Sequence, residues 1–107
     1  MALTVVSVAK VDVVEITLAG ELDGSTAPLF QAELEKAAPL KPKRIVLLVR
    51  ELEFMASAGI RMLVFAKQRM GAGVDVYVIA PREPILDTLR RTGLLHTVIV
   101  QAEYPAG

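Results

Sequence analysis

Leu52-Glu53-Phe54-Met55-Ala56-Ser57-Ala58-Gly59-Ile60-Arg61 is the stretch on which the reading turns, because an extended apolar pattern ends in it and a helical one begins. Upstream, Arg44-Ile45-Val46-Leu47-Leu48-Val49-Arg50 is a run of branched aliphatics, as expected of a central parallel strand buried on both faces. Downstream, Gly59 to Met70 has helical periodicity, so a helix is expected from Ser57 to about Met70, where Gly71-Ala72-Gly73 stops it. Ser57 stands at the joint. A small hydroxyl residue there is a good N-cap, since its oxygen can accept from the free N–H groups of the first turn. Those same groups favour negative charge. Ser57 is therefore either a plain cap or a place where a phosphate could be attached and held, and sequence physics alone prefers the cap.

Working outward, residues 3–10 and 13–20 are β-branched and roughly alternating, joined only by Val11-Asp12. So short a link predicts an antiparallel hairpin at the edge of the sheet. Glu21 to Pro28 carries a helix-start signal, with Ser25 or Thr26 as cap and Pro28 in the first turn. A helix is expected over 27–38 with Leu29, Phe30, Leu34 and Ala37 toward the core. Beyond the central segment, 74–80 reads as a strand and 84–91 as a short helix with Ile85, Leu86 and Leu89 inward. Residues 98–100 read as a last strand, and 101–107 as a flexible tail. The order strand, strand, helix, strand, helix, strand, helix, strand predicts a single α/β domain over 1–107. Its five-strand sheet is mixed and mostly parallel, with helices packed on it.

Composition narrows the function classes. The chain has no cysteine, which excludes disulfides, thiol catalysis and thiolate metal sites. Twelve basic residues balance twelve acidic ones, so there is no net drive toward nucleic acid or an anionic membrane. Although 53% of residues are hydrophobic, no stretch approaches the roughly 18 uninterrupted apolar residues of a membrane span. The N-terminus lacks the basic start of a secretory signal and is broken by Lys10, Asp12 and Glu15. A cytoplasmic protein is expected.

Chemistry-bearing motifs are sparse. His96 is the only histidine and has no carboxylate pair at ligand spacing, so no metal is expected; its expected role is to close a helix-to-strand turn. Ser57, His96 and Asp23 could form a triad only if folding brought them together, and there is no Gly-x-Ser-x-Gly elbow. No phosphate-cradling Walker or dinucleotide pattern occurs. The chain is thus expected to be no enzyme and to need no cofactor. On the second helix, Ile60, Leu63, Val64, Ala66 and Met70 share an apolar arc, while Phe65 falls opposite, between Arg61 and Arg69. An aromatic among arginines suits a protein-binding surface; packing under the neighbouring connection is an equal alternative. Met62 lies at the boundary. Asp23, Gly24 and Ser25 follow one strand as Met55, Ala56 and Ser57 follow another, so parallel pairing would bring Asp23 near Ser57. Asp23 also suits a turn made with its own backbone.

Gly20-Glu21-Leu22-Asp23, Phe54-Met55-Ala56-Ser57-Ala58-Gly59-Ile60 and Arg91-Thr92-Gly93-Leu94, with the element order, resemble the STAS domain family, specifically its stand-alone bacterial anti-sigma factor antagonists. The resemblance implies a domain that, unphosphorylated, binds an anti-sigma factor with serine kinase activity and so frees a sigma factor. Phosphorylation of the serine at the joint, here Ser57, releases the antagonist, and a serine phosphatase restores it. Together with the helix face and the strand ends read above, the expected partner-binding surface comprises Asp23, Gly24, Ser25, Met55, Ala56, Ser57, Ala58, Gly59, Arg61, Met62 and Phe65. A monomer or weak homodimer that binds neither nucleic acid nor membrane is expected. Ala56 stands where many relatives carry an aspartate before the serine, and Leu48 where an aspartate often ends the core strand. The chain also ends before the last helix common in the family. The alternative to a switch is a non-switching interaction or scaffold domain docking through Phe65 and Met62.

Overall fold

Val13–Leu22, ten residues long, is the strand on which the sheet is assembled. In the computed structural model, which describes residues 2–104, this strand (β2) pairs antiparallel with Leu3–Lys10 (β1) in unbroken register from Leu3↔Gly20 to Lys10↔Val13. The two-residue link places Asp12 at a positive φ of 64°, which a short aspartate side chain tolerates. On its other side β2 meets Arg44–Leu48 (β3) in parallel, with Val13↔Arg44 through Thr17↔Leu48. Asp75–Ile79 (β5) lies parallel beyond β3, and Ile99–Gln101 (β6) beyond β5.

The sequence pattern did not reveal Leu52–Met55 (β4), which makes the sheet six-stranded. It pairs parallel with the far half of β2 through Gly20↔Leu52, Glu21↔Phe54 and Leu22↔Met55. Thus β3 and β4 together line one side of β2, joined by a jog at Val49 to Glu51 in which Leu52 N–H donates to Val49 C=O at 3.0 Å. The register slips between Gly20 and Glu21, where Gly20 has φ 103°. A side chain at Gly20 would run into the backbone carbonyl of Ala2, so only glycine fits.

Ala27–Ala37 (α1), Ser57–Met70 (α2) and Glu83–Arg91 (α3) match the expected helices to within one residue at each end. Gly71, at φ 101°, closes α2 as expected. Phe30 and Leu34 of α1, Leu63 and Ala66 of α2, and Ile85 and Leu89 of α3 join Val14, Ile16, Leu18, Ile45 and Leu47 in one buried cluster. A large aliphatic or aromatic side chain so buried contributes roughly 1.5–3 kcal/mol. Leu29, expected in the core, is instead half-exposed, because burying Phe30 and Leu34 turns it to the flank of α1. Val46 is fully buried on the opposite sheet face, as the aliphatic run predicted for β3.

The tail expected from residue 101 is ordered at its start. Gln101 belongs to β6, and the Tyr104 ring meets Tyr77 edge-on at 5.2 Å while its hydroxyl accepts from Arg44 Nη1 at 3.1 Å. Residues 105–107 lie outside those described.

Candidate functional site

Two chain segments leave the same end of the sheet side by side. Ala56 N–H donates to Leu22 C=O at 2.9 Å, extending the β2–β4 ladder and setting the turn before α1 beside the start of α2. This is the juxtaposition of Asp23 and Ser57 that parallel pairing predicted, made by β4 rather than by β3.

The turn is held by Asp23. Its Oδ1 accepts from Ser25 N–H at 2.9 Å, Ser25 Oγ–H at 2.7 Å and Thr26 N–H at 3.1 Å. The Ser25 hydroxyl, ahead of these backbone donors, keeps the Asp23 carboxyl below its ordinary pKa against the opposing effect of burial. Thr26 is the only buried polar side chain among the described residues. Its hydroxyl donates to Glu21 C=O at 2.8 Å and accepts from Asp23 N–H at 2.9 Å, tying the strand end to the helix start. Contrary to expectation, neither Ser25 nor Thr26 caps α1 through its side chain: Thr26 stands at the N-cap without a side-chain capping hydrogen bond.

The start of α2 differs from expectation by one residue. Ala56, extended at φ −86° and ψ 178°, occupies the N-cap, and Ser57 is the first helical residue with no capping hydrogen bond. Ser57 as a residue is exposed. Gly59 explains the placement: a β-carbon there would lie 2.6 Å from Met55 Cγ and 2.9 Å from Leu22 Cδ2. The first turn of α2 therefore lies directly on the ends of β2 and β4, and Ser57 faces outward.

Of the expected surface, Gly24, Ser25, Ser57 and Arg61 are exposed, and Asp23, Ala56, Ala58 and Met62 are partly so. Met55 and Gly59 are buried; they support the edge and are not part of its surface. Phe65 takes the packed alternative while staying partly accessible, as Met62 does. It is half-buried against the core, while Val64, assigned to the apolar arc, is 38% exposed. The reason is α1, which packs beside α2, so that the flank carrying Phe65 is covered and Arg69 Nε reaches Glu35 Oε1 at 3.0 Å. Phe54 was overlooked. It is 45% exposed on β4, three residues before Ser57, and because this strand buries its two ends and exposes its middle, no regular alternation along Leu52–Met55 signalled it.

The other constellations do not assemble. His96 is exposed in a short turn of 3₁₀ helix before β6, as expected of a turn residue. The start of β6 lies at the opposite end of the parallel strands from Asp23 and Ser57, so no triad forms. Among the described residues no group of three His, Asp or Glu side chains could hold a metal, and no helix is long and apolar enough to cross a membrane.

A family model for the STAS domain matches residues 5–104. The chain belongs to the STAS domain family. No curated protein sequence matches this STAS domain significantly. Among solved structures it resembles an anti-sigma factor antagonist from Mycobacterium paratuberculosis, with TM-score 0.85 and 22% identity over 95% of this chain and 87% of that one. It also resembles the anti-sigma factor antagonist SpoIIAA in its unphosphorylated form, with TM-score 0.71 and 19% identity over 97% and 90% of the two chains. The phosphorylated form of Bacillus SpoIIAA gives TM-score 0.71 and 21% identity over 95% and 92%. At these identities the likeness is one of fold.

Proposed function

We propose that this STAS domain is an anti-sigma factor antagonist whose binding is switched at Ser57. With the hydroxyl free, the edge formed by the Asp23 turn and the first turns of α2 docks on an anti-sigma factor that has serine kinase activity, and a sigma factor is released. In the reverse step the γ-phosphoryl group of ATP passes to Ser57 Oγ, the bond to the ADP oxygen breaks and the hydroxyl proton leaves. Binding then weakens, until a serine phosphatase removes the group. Such partners place the protein in the cytoplasm.

The observation that carries this reading is the exposure of Ser57 at the first position of α2, beside a second exposed turn. Phosphorylation adds about −1.5 to −2 charges. The start of a helix tolerates negative charge, so the domain should keep its fold. A partner packed over Ser57 would meet an unmatched solvated dianion, which turns a local modification into a binding switch. The STAS fold is compatible with such a modification, since the neighbouring SpoIIAA structures include both forms.

The test is incubation with a cognate kinase and ATP, followed by mapping of phosphate by mass spectrometry. Label on Ser57, and weaker partner binding by Ser57→Asp than by Ser57→Ala, are expected. No label from a kinase proven active on another substrate would reject the switch.

A further inference from the structure

Arg61 lies one helical turn beyond Ser57 on α2, and both side chains are exposed. Residues four apart on a helix are neighbours, with β-carbons about 5–6 Å from each other. Because a helical side chain leans over the turn N-terminal to its own α-carbon, Arg61 leans toward Ser57. Its charge is also uncommitted. Elsewhere on α2, Arg69 pairs with Glu35 at 3.0 Å and Lys67 donates to the Val74 carbonyl at 2.8 Å, whereas Arg61 has no ion pair among the described residues. The first turn of α2 carries no acidic residue to compete for it. The carboxylates on the neighbouring elements are Glu15 and Glu21 of β2, Asp23 in the turn, Glu33 and Glu35 of α1, Glu53 of β4 and Asp75 of β5; among the described residues none pairs with Arg61, Glu15, Glu33 and Glu35 being engaged by Lys10, Lys36 and Arg69, and Asp23 by Ser25 and Thr26.

We propose that Arg61 is the internal partner of a phosphate on Ser57, folding back along α2 to bind its oxygens. This rests on the phosphorylation reading above and goes beyond it. Modification would then change the docking edge twice, adding a dianion and withdrawing the one cation of this turn from any acidic group on the partner. The charge is compensated within the domain, by a guanidinium that can offer two parallel N–H donors to phosphate.

The test uses the full chain with phosphoserine built in at position 57 during synthesis, so that no kinase is needed. The second phosphate ionisation, ordinarily near pH ~6, is followed by ³¹P NMR. A nearby cation favours the dianion and lowers that pKa, so the native chain is expected to titrate roughly half a unit or more below Arg61→Gln, with Arg61→Lys between them. The unphosphorylated Arg61→Gln chain should keep the native Tm, because the residue is exposed. Coincident titrations of the three chains would overturn the clamp. A kinase that ignores Ser57 leaves this measurement intact and counts only against the switch.

Discussion

Gly59 shows how much depends on a single missing side chain. Helix propensity alone says that Gly59→Ala should stabilise α2 by up to ~1 kcal/mol. The contacts at 2.6 Å to Met55 and 2.9 Å to Leu22 oppose this, and overpacking of this kind costs about 1–3 kcal/mol. The packing cost is the larger, so Gly59→Ala should lower stability by about 1 kcal/mol in urea unfolding and shift the joint that presents Ser57. Asp23 gives a prediction of a different kind. Its depressed pKa means that its bonds to Ser25 and Thr26 stabilise the fold above the unfolded-state value, and that this contribution is lost as pH falls through the lower folded-state value. Ser25→Ala removes the largest cause. The Asp23 carboxyl should then titrate higher by NMR, and the acid-side loss of stability should begin at higher pH than in the native chain, near the ordinary aspartate range of roughly pH 4.

Helix α1 has a buried side and a charged flank of unequal energetic weight. Phe30 is fully buried among the strands, and Phe30→Ala should cost about 3–5 kcal/mol in chemical denaturation. The Arg69–Glu35 pair between α2 and α1 is roughly half-exposed at both ends, and Arg69→Ala should cost under about 1 kcal/mol because water and salt screen it. A larger loss would mean that the arginine stem packs over Phe65. The position of Phe65 was not legible from the helix alone: periodicity gives angles around one axis, but which flank a second helix covers depends on where α1 lies. Strand β4 escaped for a related reason. Four residues with buried ends and an exposed middle are too short to stand out between an aliphatic run and a helix, and they form a strand only because β2 extends past the end of β3.

At the scale of the whole molecule, the buried side chains of all three helices meet one face of the sheet. The functional edge lies at the end of that sandwich, outside the core. Ser57→Asp should accordingly leave the far-ultraviolet circular dichroism unchanged and the unfolding free energy within about 0.5 kcal/mol of native, while partner affinity falls. A large loss of stability would show that position 57 supports the fold as well as the interface. The sequence by itself determined the alternation of strands and helices, the edge hairpin, the buried central strand and the family, because each is written in local periodicity, turn residues or motif spacing. Tertiary structure alone decided the jog that creates β4, the burial of Met55 and Gly59, the covering of Phe65 and the outward turn of Ser57. Each of these depends on which distant segment packs alongside, and a linear pattern of apolar and polar residues does not specify that neighbour.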